Sequence, residues 1–176
     1  MFDKLYELLT SVWSDIWFFK IINQNEKGLR LRVGVVNKEL KPGLVFKAPF
    51  IDNIMQQYVG DDTIQFPSQK LTTKDGKVVT ITGMMLYNIT DVKPFLLNAS
   101  IPTQTLSDVA TGVISDIVLK HTWAELIESL EQLNNKISIS VRRECKEWGV
   151  HVEYVRLTDI TVSRTFNIFK NSEAHL

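Results

Sequence analysis

The chain has 176 residues, 44% of them hydrophobic, with 20 basic side chains against 20 acidic ones. Zero net charge supplies no basic face to displace phosphate counterions, which argues against nucleic acid as a partner. A charged fraction of 23%, with ample Leu, Ile, Val and Phe, excludes general disorder. The single cysteine, Cys145, can form neither an internal disulfide nor a cysteine-rich metal site, and points weakly to a reducing compartment.

Residues 1–20, MFDKLYELLTSVWSDIWFFK, hold six of the chain's 17 aromatic side chains. At helical spacing Phe2, Leu5, Tyr6, Leu8, Leu9, Val12, Trp13, Ile16, Trp17 and Phe19 fill one half of a wheel, and Asp3, Lys4, Glu7, Thr10, Ser11, Ser14 and Asp15 the other. Phe18 alone stands on the wrong side. The pattern predicts an amphipathic helix about 30 Å long. A spanning helix needs about 20 mostly apolar residues, and the longest apolar run here is Ile16–Phe19. The basic start and unbroken apolar stretch of a signal peptide are both absent. Phe2, Leu5, Tyr6, Leu9, Val12, Trp13, Ile16, Trp17 and Phe19 are therefore expected to contact a membrane interface. The alternative is that they pack on a partner protein or on the domain itself, and the polar face argues that way, because Asp3, Glu7 and Asp15 against Lys4 leave little attraction to anionic lipid.

From Ile21 the period changes to two. Glu26–Val36 alternates, with Leu29, Leu31, Val33 and Val35 on one face, and reads as a half-buried strand. Lys41-Pro42-Gly43 makes a turn, after which Leu44–Phe46, Ile54–Val59 and Thr63–Phe66 are short extended pieces. After the turn Lys74-Asp75-Gly76, Lys77–Thr90 is the clearest strand, with Gly83 marking a bulge or a close approach. This part is mostly antiparallel β. Helical spacing then dominates: Val92–Asn98, a longer helix carrying Leu106, Val109, Val113, Ile114 and Ile117, and a short one opened by the capping box Thr122-Trp123-Ala124-Glu125. A last helix repeats Leu133, Ile137, Val141, Cys145 and Trp148 and stops at Gly149. Val150–Val162 is a final strand whose alternation slips twice.

Read in order, these segments resemble the SPFH/band 7 family of stomatins, prohibitins, flotillins and the bacterial HflK and HflC proteins. Lys41–Ile54, KPGLVFKAPFIDNI, is similar to the family's PGL-x-F-x-x-PF-x-D element, and Leu71–Asp91, LTTKDGKVVTITGMMLYNITD, to its T-K-D-G segment and the strand after it. The resemblance covers about Ile21 to Val162. It implies an α+β fold of SPFH/band 7 type: an N-terminal amphipathic helix over 1–20, a mainly antiparallel β subdomain over 21–91, an αβ subdomain over 92–162, and a short tail over 163–176. It further implies a membrane-associated, self-associating scaffold, not an enzyme. Such a scaffold works on the cytoplasmic face, organises a membrane patch, and has a bilayer surface, copies of itself and an integral membrane protein as partners. By the same analogy the loop Pro49, Phe50 and Ile51 faces lipid; a buried connection between strands is the other reading. The chain shows no long apolar hairpin, so the anchor would be monotopic. Ser163–Leu176 lacks a convincing heptad pair, so the chain is either a minimal family member or a truncated one. The alternative function is a soluble assembly subunit whose N-terminal stripe packs on a partner protein.

No catalytic constellation emerges, and no cofactor or metal is expected. Cys145 and His151 have no reason to pair, Asp61-Asp62 reads as a solvated turn, and Lys74–Lys77 is too short for a phosphate loop. Arg30, Arg32, Lys38, Lys41 and Lys47 form a local basic excess that either faces anionic headgroups or is simply solvated.

Overall fold

The period-two stretches become eight strands, and the helical ones four helices, in the computed structural model, which describes residues 18–162. Residues 1–17 of the helix predicted over 1–20 lie outside the described residues. Its C-terminal boundary moves back, because Phe19 and Lys20 stand in a strand, β1 (Phe19–Ile22).

The described chain divides into two units. The first contains the residues up to Asp61 together with Asn88–Ser100 and Glu147–Val150, and the second contains Asp62–Tyr87, Ile101–Lys146 and the chain from His151. In the first, β1 pairs antiparallel with β4 (Gly43–Phe46), with Phe19 opposite Phe46 and Ile22 opposite Gly43. A three-stranded antiparallel sheet runs in the order β3 (Val35–Leu40), β2 (Glu26–Arg32), β5 (Asp52–Tyr58). The single strand expected over 26–36 is therefore a hairpin. Its turn falls at Val33-Gly34, where both residues have positive φ (51° and 78°), and only Leu29 of the expected apolar face is buried. Ile22, Leu40 and Ile54 form the core of this unit with Val45 against them. Helix α1 (Val92–Leu97) buries Val92 and Phe95 and is capped by Asp91, whose side chain accepts from Lys93 N–H.

The second unit is a sheet in the order β6 (Asp62–Thr72), β7 (Val78–Ile89), β8 (Val150–Val162), with helices α2 (Pro102–Lys120), α3 (Trp123–Glu128) and α4 (Leu130–Cys145). Val79, Ile81, Met85 and Tyr87 are buried on one face of β7, as its alternation requires. Gly83 shares that face and marks a close approach: a Cβ there would stand 2.9 Å from the carbonyl oxygen of Arg156 and 3.2 Å from the Phe66 ring. The β6–β7 register shifts beside it, between Phe66 and Gln69. The T-K-D-G turn does more than reverse the chain. Asp75 accepts hydrogen bonds from the buried Thr73 hydroxyl and from Trp123 N–H, the first residue of α3, while Lys74 N–H donates to His121 O at 3.0 Å. The hairpin is thus tied to a helix start that its own capping box, Thr122 with Glu125, already closes. Helix α4 buries Leu133, Ile137, Val141 and Cys145 as expected, and β8 buries Val152, Val155 and Leu157 with the phase slip at Tyr154.

Gly149 has φ +71°, and its carbonyl oxygen accepts from Thr90 N–H at 2.9 Å and Asp91 N–H at 3.0 Å. A Cβ on Gly149 would collide with the Asp91 carbonyl oxygen and with Pro94. Gly112, within α2, faces open space. The two glycines should respond to alanine with opposite signs. Gly149→Ala is expected to destabilise by more than about 2 kcal/mol, since left-handed backbone strain adds to a backbone collision. Gly112→Ala should stabilise by about 0.5–1 kcal/mol, because a mid-helix glycine carries excess unfolded-state entropy. Urea unfolding of both variants against wild type checks the pair.

Candidate membrane-contact site

The β1–β4 pairing builds one end of the first unit. Because the strands are antiparallel, the start of β1 and the end of β4 lie at the same end of the ribbon, and Lys47 N–H donates to Phe18 O at 2.6 Å. Phe18, the first described residue, therefore lies beside the start of the 47–51 loop. Phe18, the aromatic that fits no helical face, stacks on Phe46 with ring centroids 6.1 Å apart and planes at 15°. Phe19 meets the same ring edge-on at 5.8 Å. Phe18, Phe19 and Phe46 are each about half exposed, as are their neighbours Ile21 and Leu44 or more so.

The loop itself is held from behind by Asp52. Its carboxylate, fully buried, accepts two hydrogen bonds from the Arg32 guanidinium, at 2.8 and 3.2 Å, and one from Ala48 N–H at 3.1 Å. Arg30 approaches the same carboxylate at 3.8 Å and donates through its other arm to Phe46 O at 2.7 Å. The Arg32 hydrogen bonds, followed by the one from Ala48, pull the Asp52 carboxyl down from its ordinary 3.8 to about 2. Asp52 N–H closes the loop onto Ala48 O at 2.9 Å. So clamped, the loop turns through Phe50 with φ +65°, a conformation that bulky side chains rarely adopt. Phe50 is 87% exposed, Ile51 about half, and Pro49 is intermediate. The neighbouring hairpin turn is joined to this loop by Val33 N–H donating to Ile51 O at 2.9 Å. Val33, also at positive φ, is 79% exposed, and Val35 is exposed beside it.

The arrangement is an apolar edge made of two linked turns, each with a large hydrocarbon side chain held outward at a strained φ. Of the residues singled out in the sequence, Phe19, Pro49, Phe50 and Ile51 fall on this unit. Phe2, Leu5, Tyr6, Leu9, Val12, Trp13, Ile16 and Trp17 lie outside the described residues. Val33 was read as a core-facing strand residue, and nothing in its alternation marked it otherwise. The remaining candidates for chemistry stay apart. Asp61 accepts from the Asn88 side chain and Asp62 from the Tyr87 hydroxyl, which burial and that carboxylate push up to about 12. Cys145 is buried, and burial raises its thiol to about 11. Among the described residues no cluster of His, Cys, Asp and Glu has a metal-binding arrangement, and no helix is long and apolar enough to cross a membrane.

The SPFH domain / Band 7 family model matches residues 20–173, and the chain belongs to that family. It is similar to an uncharacterised protein of Methanocaldococcus jannaschii, 29% identical over 140 residues, which cover 80% of this chain and 70% of that protein. It also resembles Stomatin-1 of Caenorhabditis elegans, 23% identical over 142 residues (80% of this chain, 43% of the relative). Stomatin-like protein 3 of Mus musculus is 23% identical over 154 residues (86% of this chain, 53% of the relative). The chain spans about half the length of these two stomatin relatives. The family's PF-x-D element thereby acquires a physical reading in this chain: its aspartate is the clamp that holds Phe50 out.

Asp52 makes the acid stability of this unit predictable. A carboxyl whose folded-state pKa is depressed contributes stability that is present above its unfolded pKa and disappears as pH falls through the folded value. The difference in thermal midpoint between wild type and Asp52→Asn should hold constant at neutral and mildly acid pH. It should begin to close below the unfolded value of 3.8 and vanish near the folded value of about 2. A difference that does not change with pH would show that Asp52 acts only as a spacer.

Proposed function

We propose that the chain is a membrane-associated scaffold of the SPFH type, which self-associates on one leaflet and engages lipid through the apolar edge of its first unit. The observation that carries this is the pair of outward, strained hydrocarbon side chains, Phe50 and Val33, on turns that Asn or Gly would form without strain. In water their exposure and their backbone conformation are both unfavourable; in a bilayer interface a large apolar side chain gains roughly 1.5–3 kcal/mol. Phe18, the first described residue, lies at the same end as the loop, which supports a reading in which the helix expected over 1–20 and the loop 49–51 act together. Support for the scaffold role comes from family membership and the stomatin relatives; a ring of copies, an integral membrane protein as client and the cytoplasmic face belong to the same proposal. The reading that competes is a soluble assembly subunit that buries the same stripe on a protein partner.

Flotation with neutral phosphatidylcholine vesicles separates the two. The full chain should float, and Trp13→Glu with Trp17→Glu should lower the floating fraction. Phe50→Asn should lower it too, while raising unfolding stability by about 1 kcal/mol, because asparagine tolerates the left-handed conformation that phenylalanine resists. Binding lost while stability is gained identifies Phe50 as a contact residue. A full chain that stays with the protein fraction, in oligomers that these substitutions disperse, establishes the assembly-subunit reading instead.

A further inference from the structure

A cavity of about 370 Å³ opens behind the apolar edge, walled by Val33, Gly34, Lys47, Phe50, Ile51, Asp52 and Asn53. That volume lies at the small end of the range for ligand sites, about 300–1,000 Å³. Its polar contents are unusual for their lack of partners. Lys47 is only partly exposed, yet among the described residues no carboxylate comes within ion-pair distance of its ammonium. The Asn53 carboxamide likewise makes no hydrogen bond to a described residue, whereas the Asp52 carboxylate is fully buried and already taken up by Arg32. Arg32 spends two donors on Asp52, and its half-exposed guanidinium keeps the others free among the described residues. The cavity wall thus carries one cation, Lys47, and one carboxamide, Asn53, neither with a partner among the described residues, beside a carboxylate already matched by Arg32. A cavity of similar volume in the second unit, walled by Gln65, Phe66, Thr82, Gly83, Met84 and Thr158, contains no charged side chain.

We propose that this cavity binds the phosphate of an anionic lipid headgroup, with Lys47 as its principal ligand and Asn53 as a second donor. The proposal rests on the membrane reading above: Lys47 lines the same cavity as Val33, Phe50 and Ile51, so an edge seated in the interface brings this cation to the headgroup region. A cation and a carboxamide donor in one wall suit an anion, and a phosphate is the anion that a bilayer offers. The apolar edge then supplies adhesion and the cavity supplies preference for one class of lipid. This separates it from a diffuse basic surface, to which Lys38 and Lys41, both exposed, would contribute equally.

The test measures flotation of the full chain with phosphatidylcholine vesicles and with vesicles containing phosphatidylglycerol or phosphatidic acid, and takes the ratio of anionic to neutral binding. A delocalised charge near an anionic surface changes binding about fivefold. Lys47→Gln should lower the ratio by tenfold or more, and Lys38→Gln and Lys41→Gln by about fivefold or less. Equal losses in all three variants overturn the cavity in favour of a diffuse field. A wild-type ratio near one, with neutral vesicles still bound, overturns the cavity and leaves the membrane reading standing. No binding to any vesicle overturns the membrane reading itself. Soluble glycerol phosphate should shift the NMR signals of Lys47 and Asn53 but not those of Lys38. Shifts confined to Lys38 and Lys41 count against the cavity.

Discussion

One buried carboxylate organises the first unit. Asp52 opens β5, pairs across the sheet with Arg32 at the end of β2, and receives Ala48 N–H from the loop, so a strand end, a neighbouring strand and a turn meet on one side chain. A buried charge is tolerated only when such partners satisfy it, and removing one of them strands the rest. The geometry explains why Phe50 and Val33 can hold positive φ. Strain at single residues persists where surrounding contacts over-determine the backbone, and here the loop is fixed at Ala48, Ile51 and Asp52 by hydrogen bonds. Arg30 has its Nε buried without a hydrogen-bond partner, and is positioned by its carbonyl contact at Phe46 and by the field of Asp52.

The second unit solves a different problem, an exposed sheet edge. β8 is the last strand in its sheet, and its outward backbone groups would ordinarily invite another strand. Helix α4 answers them with side chains one turn apart. Asn134 accepts from Leu157 N–H at 3.1 Å, Ser138 accepts from Val155 N–H at 2.8 Å, and Arg142 donates to Val152 O and Glu153 O, both at 2.7 Å. The polar positions sit on the helix beside the apolar run Leu133, Ile137 and Val141, so one helix fills the core and closes the edge together. Pairing through that stretch of β8 is blocked in this conformation. The self-association proposed above would have to use surfaces other than this stretch of β8.

The sequence made the second unit easy to read and the first one hard. Lys77–Thr90 and Val150–Val162 are long, alternate over most of their length and each follow a glycine, so their strands and even the slip near Tyr154 follow from the pattern. The capping box is a local signal and survives intact, whereas the α-helix expected to run to Gly149 ends at Cys145 and a 3-10 turn, Lys146–Trp148, leads to Gly149, which has the expected positive φ. The hairpin at Val33 does not announce itself, because a β-branched residue is among the poorest choices for a left-handed turn and the alternation continues through it. Phe18 is placed by Phe46, nearly thirty residues away, and Asp52 by Arg32, twenty residues before it. Such contacts across the fold leave no periodic trace. The apolar loop at Pro49–Ile51 was visible as a motif, but that Phe50 is forced outward, and that Val33 joins it, required the backbone angles.

Those angles bear on what the surface is for. A left-handed conformation costs an ordinary residue about 1–2 kcal/mol, and two such residues in one small unit are a measurable fraction of a domain's stability. Asparagine or glycine at either position would remove that cost and lower the exposed apolar area in the same step. Nothing in the fold requires phenylalanine at position 50, because its side chain points away from the core formed by Ile22, Leu40 and Ile54. The stability given up is recovered only when the edge is covered. Under the membrane reading proposed above, a bilayer covers it without demanding a particular partner shape, and for a chain of zero net charge adhesion to neutral lipid would come from this hydrocarbon.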